Sequence, residues 1–462
     1  MRPSIRIWHL ALLAASAFLL PRPALAQDPF APVFLVSSRA TYDGSLRGLV
    51  HDADERRDSV GRPVVVSKVQ AHRLEDISRR VHERERRCGG YFAFPTRAAA
   101  EAFLRNDLTA QAMQAQALAE YTIDQPELVA TWFAQVEEPR IRATIHHLST
   151  AWNNRYYLSN HGRGSAEWIR DTWLALGNGR DDVSAELFEA CTGCGIQPSV
   201  ILTVQGNELA DEVVVLGGHL DSISGTGWGD DMIAPGADDD ASGIAVLTEI
   251  IRIALADGWR PRRTIKFMGY AAEEVGLRGS RAIAESFRAQ DVDVVAVLQL
   301  DMTNYNAGTT LDMRLVTDFS NAPLRTFVGQ LFATYLAPVG MDLGATSCGY
   351  ACSDHASWTY AGYPSAFVIE PVLFPTRHTP SDTLANTGPT ADTSVAFAKL
   401  GLAFVAELGK LGVSTPVLPF CPALPEPGTT PGMLTSPVSR PRAGGPPRGP
   451  RPAISPLAGP RR

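Results

Sequence analysis

GGHLDS at 217–222, APGADDDASG at 234–243, YAAEEVGLRGS at 270–280 and LQLDMTNY at 298–305 make up one stretch, Gly217 to Asp301, whose reading decides the fold. Two later pieces belong with it: CGYACSDHASW at 348–358 and RHTPSDT at 377–383. The polar clusters follow short apolar runs. Val213–Leu216 leads into His219, Thr264–Tyr270 into Glu273 and Glu274, Val294–Leu300 into Asp301, and Ser365–Ile369 comes shortly before His378. Short β-branched runs alternating with helical patterns predict a parallel α/β sheet. Ligands of such sheets bind beyond the carboxyl ends of the strands. Every one of these polar residues follows a candidate strand, so the fold can gather them on one edge.

Charge says what such a gathering needs. Three carboxylates and two histidines crowded together are unstable unless a cation neutralises them. Two Zn²⁺ carry +4. Glu274, Asp301 and one carboxylate of the triplet Asp238-Asp239-Asp240 carry −3, and a bridging hydroxide completes the count. Nitrogen and oxygen ligands without thiolate suit a catalytic zinc with an open position. Spacing alone does not choose among the three aspartates.

Outward from the stretch, Asp240 or Ser242 can cap a helix running to about Asp257, with Ile244, Leu247, Ile251 and Leu255 as its buried stripe. Further helices are predicted at Arg278–Ala289, Pro323–Leu336 and Thr390–Leu411, so this domain spans 125–413. The expected fold class is α/β: a mainly parallel, twisted open sheet sandwiched between helices, preceded by a small α+β domain at 27–120. In that domain Val33–Ser37 and Pro63–Val69 read as strands, and Ala71–Arg87 and Ala98–Asn106 as helices. Ala110–Tyr121 reads as a helical linker.

The ends differ in character. Arg2 and Arg6, an apolar run from Trp8 to Leu20 and the small-x-small Ala24-Leu25-Ala26 read as a secretory signal peptide over 1–26. The run is too short to span a bilayer, so no stable membrane insertion is expected. A secreted or periplasmic protein follows. The segment 414–462, rich in Pro, Gly and Arg, reads as a disordered tail. With 45% hydrophobic and 20% charged residues the chain has globular composition, and a net charge of −7 argues against nucleic acid as a partner. Export permits disulfides. Close spacing favours Cys348–Cys352 and Cys191–Cys194, leaving Cys88 with Cys421.

At these motifs, over about 125–410, the sequence resembles the secreted bacterial leucyl aminopeptidases that use two co-catalytic zinc ions. GGHLDS, APGADDDASGI, YAAEEVGLRGS, LQLDMTNY, CGYACSDHASW and HT-x-x-DTL occur in family order. The resemblance puts the metal-bridging carboxylate on Asp239. It implies that His219 and Asp301 bind one zinc and Glu274 and His378 the other. It makes Glu273 the general base acting on a zinc-bridging hydroxide, with Asp221 orienting His219 from behind. The resemblance further implies an eight-stranded sheet and an N-terminal propeptide that assists folding or masks the site, a role for 27–120 that would make the chain a zymogen.

Tyr350, inside the short Cys348–Cys352 loop, is a candidate to stabilise the oxyanion. Met302, Phe367 and Ile369 are candidates for an apolar substrate pocket. The expected substrates are peptides with Leu or another apolar residue first, and the expected state is a monomer. Glutaminyl cyclases and carboxypeptidases of the same superfamily, and receptor-like proteins that keep the fold without the chemistry, are the alternative readings. Cyclases work with a single zinc. Carboxypeptidases call for basic residues at the site, for which Arg377 is the obvious candidate. The receptor-like proteins lose ligands or the base, whereas the full set is present here.

Overall fold

The computed structural model of the chain describes residues 28–85, 89–115 and 121–411. All of these belong to one compact unit, 1–414; a second unit, 415–462, lies outside the described residues. So do the expected signal peptide at 1–26, the expected tail, and Cys88 and Cys421.

The larger sheet has eight strands in the order β11-β10-β12-β9-β7-β8-β6-β5. They are β5 (Val183–Phe188), β6 (Ser199–Val204), β7 (Leu209–His219), β8 (Arg263–Tyr270), β9 (Asp293–Leu300), β10 (Met313–Val316), β11 (Leu343–Thr346) and β12 (Ser365–Ile369). The centre, β12-β9-β7-β8, is parallel throughout. Antiparallel pairs join β6 to β8, β5 to β6 and β10 to β12.

Central strands buried on both faces explain the near-continuous apolar runs in the sequence. Along β7, Val214 and Leu216 enter one core with helices Ala241–Ala256 and Asp392–Gly409, while Val213 and Val215 enter another with helix Arg278–Ala289. Asp240 caps helix Ala241–Ala256, accepting the Gly243 N–H at 2.9 Å. The expected stripe of Ile244, Leu247, Ile251 and Leu255 is buried, and the rest of the helix nearly so, because other helices cover its outer side.

Ahead of this sheet stands a smaller antiparallel one, ordered β2-β3-β1-β4. Its strands are β1 (Pro32–Ser38), β2 (His51–Arg57), β3 (Pro63–Gln70) and β4 (Tyr91–Phe94). β1 and β3 stand where strands are predicted. β2, HDADERR, is polar on both faces and exposed, a charged edge strand with no apolar alternation to announce it. The predicted Ala71–Arg87 helix opens as a 3₁₀ turn, Ala71–Arg73, and continues as Leu74–Glu85. The linker helix is shorter than predicted, Thr109–Gln114. The Pro323–Leu336 prediction divides into an α-helix, Ala322–Leu331, and a π turn, Phe332–Leu336.

The two sheets share a core. Val36, Phe92 and Phe94 of the small sheet are buried in one cluster with Leu277, Phe319, Ala351, Ala356 and Tyr360. The Phe92 and Tyr360 rings meet edge-on at 4.8 Å. No helix of the described residues is long and apolar enough to cross a membrane.

Candidate active site

His219 is the last residue of β7 and Asp301 follows β9 directly, while Glu273 and Glu274 stand in the turn after β8 and His378 in the loop after β12. Strand direction brings all of them, with Asp239, to one buried cluster. The two oxygens of Asp239 diverge: Oδ1 lies 3.0 Å from His219 Nε2 and Oδ2 lies 3.0 Å from His378 Nε2. Beyond them, Asp301 Oδ1 is 3.5 Å from His219 Nε2 and Glu274 Oε2 is 2.8 Å from His378 Nε2. Two groups here could each hold a metal ion: His219, Asp240 and Asp301, and Asp239, Glu274 and His378.

Asp240 is otherwise committed. Its carboxylate accepts the backbone N–H groups of His219, Gly243 and Met302 at 3.0, 2.9 and 3.1 Å. Asp238 Oδ1 accepts the Asn304 N–H at 2.9 Å. Of the triplet, Asp239 alone sets one oxygen toward each histidine, which suits a shared ligand.

The donor set fits metal. Glu274 Oε1 and Asp301 Oδ1 are buried with no hydrogen-bond donor. Burial pushes the Glu274 carboxyl up to about 7 against the pull of His378. Burial opposes ionisation of Asp239 too, but the two histidines hold its carboxyl well below the usual range. Oxygen and imidazole ligands crowded this closely call for a divalent cation to replace their protons.

A ring of supporting groups fixes these side chains. Asp382 accepts the N–H groups of Asp238 and Asp239 at 2.9 and 3.2 Å. Ser353 Oγ donates to Asp301 Oδ2 at 2.6 Å. Arg155, fully buried, donates to the carbonyls of Leu148, Leu220, Pro235 and Gly236, and its charge faces Asp382, Asp240, Asp221 and Asp239. Asp221 supports the site at two points. Its carboxylate accepts the N–H groups of Glu273 and Glu274 at 2.9 and 3.1 Å, and its backbone carbonyl lies 3.1 Å from His219 Nδ1. The histidine is thus oriented mainly by the Asp221 carbonyl, with the carboxylate at 3.5 Å.

Glu273 is buried, its Oε1 without a hydrogen-bond partner. Burial and the neighbouring Glu274, Asp354 and Asp301 push its carboxyl well above the usual range, with His219 pulling the other way. A cavity of about 1100 Å³ opens beside the cluster, lined by Met302, Ile369, Tyr350, Tyr305 and Leu373 among others. Phe367 does not line it. That residue shares the face of Ile369 but sits two residues earlier on β12, fully buried in one cluster with Met302, Tyr350 and Ile369, its ring 4.9 Å from His355. Both close cysteine pairs are bonded, Cys348–Cys352 around Tyr350 and Cys191–Cys194 beside the turn after β8, where Cys194 Sγ lies 3.8 Å from the Ala271 carbonyl.

The small sheet reaches this site. Glu83 and Glu85 of helix Leu74–Glu85 line the cavity, and Ser78 Oγ donates to the Glu274 carbonyl at 2.8 Å. A Cβ placed on Gly89 would lie 3.8 Å from Glu273 Oε1, and one on Gly90 3.5 Å from the Tyr350 ring. Both glycines have positive φ, 57° and 98°, so a larger residue would be strained by its backbone although a Cβ would meet only ordinary contacts.

The family model of "Peptidase family M28" matches residues 199–403. "Leucine aminopeptidase 1" of Fusarium vanettenii is 37% identical over 297 residues, 61% of this chain and 72% of the relative. The chain belongs to peptidase family M28. A second relative, "Leucine aminopeptidase 1" of Arthroderma otae, is 35% identical over 309 residues, 63% of this chain and 79% of its own length. Two crystal structures from Legionella pneumophila share the fold. LapB has a TM-score of 0.66 and 28% identity, covering 82% of this chain and 100% of LapB. The LapA aminopeptidase has a TM-score of 0.67 and 25% identity, covering 82% of this chain and 98% of LapA. These similar proteins are fungal as well as bacterial, and the LapA and LapB matches extend over more than 125–411 can supply.

Proposed function

We propose that the chain is an exported, zinc-dependent aminopeptidase that removes the first residue of peptides, with Leu or another apolar residue preferred. The observation that carries this reading is Asp239, with one oxygen 3.0 Å from each of two histidines that have their own carboxylate neighbours. His219 and Asp301 would hold one zinc, Glu274 and His378 the other, and Asp239 both. Bound there, the ions would lower the pKa of water and polarise the scissile carbonyl.

The chain's own groups do the rest. Glu273, adjacent to a ligand yet unpartnered at Oε1, accepts the proton of the attacking water and delivers it to the departing amine. The Asp221 carboxylate holds the Glu273-Glu274 backbone so that one side chain faces metal and the other stays free. Tyr350 donates its hydroxyl to the oxyanion. Met302 and Ile369 form the apolar wall for the first side chain. The names of the similar leucine aminopeptidases support the aminopeptidase reading, and the leader-like sequence at 1–26 supports secretion or a periplasmic location. A monomer is sufficient for this site, every residue of which comes from one chain.

The N-terminal part, 27–120, is proposed as a propeptide that masks the site. Gly89 stands beside the base, and Glu83 and Glu85 stand over the cavity. Removing it from purified precursor should raise turnover; a precursor already fully active would leave only a folding role.

The test of the main reading is hydrolysis of Leu-p-nitroanilide by purified protein, with and without chelator, beside an N-terminal Gln peptide. Chelator-sensitive release of nitroaniline is expected. Ammonia release from the Gln peptide with no anilide cleavage would replace the aminopeptidase with a cyclase.

A further inference from the structure

Arg314 stands on β10 directly opposite Ile369 of β12, so the two side chains share a face of the sheet. Two residues along, Val316 joins Met302, Tyr350 and Ile369 in one buried cluster. Arg314 therefore continues the apolar wall of the cavity away from the metal cluster, and it lines that cavity. Room is made for it: on neighbouring β11 a Cβ at Gly344 would lie 3.2 Å from Arg314 Cγ. The Nε of this half-buried side chain is buried with no hydrogen-bond partner, and among the described residues no carboxylate forms an ion pair with Arg314. A guanidinium donor left buried and unmet is destabilising, and an anionic ligand would satisfy it.

The rest of the cavity agrees. Arg377 adds a second cation to its lining. The nearby Glu370 is spent on backbone, accepting the N–H groups of Tyr305 and Phe374 at 3.0 and 2.5 Å. Glu370 is one of three carboxylates in the lining; the other two, Glu83 and Glu85, come from the N-terminal helix. Two strand spacings, about 10 Å, separate β10 from the end of β9 that carries Asp301. A first residue with its scissile carbonyl at the cluster can bridge that gap only with a long side chain.

We infer that the pocket for the first residue accepts an anionic side chain as well as an apolar one: the stem of an N-terminal glutamate lies on Met302 and Ile369, and Arg314 binds its carboxylate. This rests on the aminopeptidase reading and adds a substrate class to it. A planar fork of donors that is never neutral suits a carboxylate better than any other side chain in the cavity.

The test compares kcat/KM for the Glu, Asp, Leu and Lys p-nitroanilides on purified, zinc-loaded protein, with and without limited proteolysis of the N-terminal part. Glu should be cleaved within about tenfold of Leu and far faster than Lys, with Asp slower than Glu because it is shorter. Arg314→Leu should lower the Glu-to-Leu ratio about ten- to a hundredfold, and Arg314→Lys should recover part of it. In the unmodified protein, free L-glutamate should inhibit Leu-p-nitroanilide cleavage at least about tenfold better than its isostere L-glutamine. Cleavage of Leu without Glu, equal inhibition by the two amino acids, or an unchanged ratio in Arg314→Leu overturns the inference and leaves the aminopeptidase intact. If no anilide is cleaved in either form, the aminopeptidase reading falls and takes this inference with it.

Discussion

The strand ends of the large sheet and the seam between the two sheets are both buried, yet they are held by opposite means. At the strand ends, Asp221, Asp238, Asp239, Asp240, Glu273, Glu274, Asp301, Asp354, Glu370 and Asp382 lie buried within one polar region. Backbone N–H groups and Ser353 satisfy most of them, the charge of Arg155 stands among them, and oxygens of Asp239, Glu274 and Asp301 face the histidines. At the seam, Val36, Phe92 and Phe94 meet Leu277, Phe319 and Tyr360 through apolar surface. The first region is specified group by group, so that a single atom matters. The second is specified by shape and area, so that volume matters.

The largest effect is expected from one oxygen pair in the polar region. Glu273→Gln keeps size and hydrogen bonding but cannot take a proton, so kcat should fall by about 10²–10⁴-fold with metal content unchanged. Undiminished turnover would remove Glu273 from the reaction. On the other side of the comparison, Phe92→Ala leaves a void in the seam and should cost about 3–5 kcal/mol of stability, read from denaturant unfolding. The same variant should loosen Gly89 and Gly90 from the site and raise the activity of uncleaved precursor; equal activity would separate the seam from masking.

A support residue should cost less than a ligand. Ser353→Ala removes the hydrogen bond to Asp301 and should weaken metal affinity about 10–100-fold, measured by competition with a chelator. The smallest effect concerns Glu75, on helix Leu74–Glu85 of the small sheet. Burial pushes its carboxyl up to about 7; the Tyr156 hydroxyl, from the large domain, pulls it down and Asp76 adds to the rise. The folded state thus favours the protonated acid. Its contribution to stability should decline as pH rises from the ordinary carboxylate range through about 7, and flatten above that. Glu75→Gln should remove that slope between about pH 5 and about pH 8; an identical slope in the variant would place its origin elsewhere.

The sequence made the polar region unusually legible, because chemistry there is tied to strand ends. Val213–Leu216 before His219 and Val294–Leu300 before Asp301 announce both the strand and what it carries. Asp239 needed the resemblance, since three adjacent aspartates look alike until the backbone N–H groups captured by Asp240 and Asp238 are seen. Counting three carboxylates also understated the charge, because Asp382 and Asp354 become neighbours of the site only on folding. Arg155, in the run WNNRYY, carries no local signal of burial; its partners come from loops up to 81 residues away. Arg314 was equally silent, a single charge in a short strand whose meaning depends on Ile369 across the sheet. The seam was illegible for another reason: β2 has no apolar face, β4 is only four residues long, and Phe92 and Phe94 do not say which surface they cover.

The account rests on Asp239 serving two cations at once, and metal analysis of the purified chain tests that most directly. Two zinc ions per chain are expected, falling to one or none in Asp239→Asn together with the loss of anilide cleavage. A single ion in the unmodified protein, or two ions retained in Asp239→Asn, would contradict it.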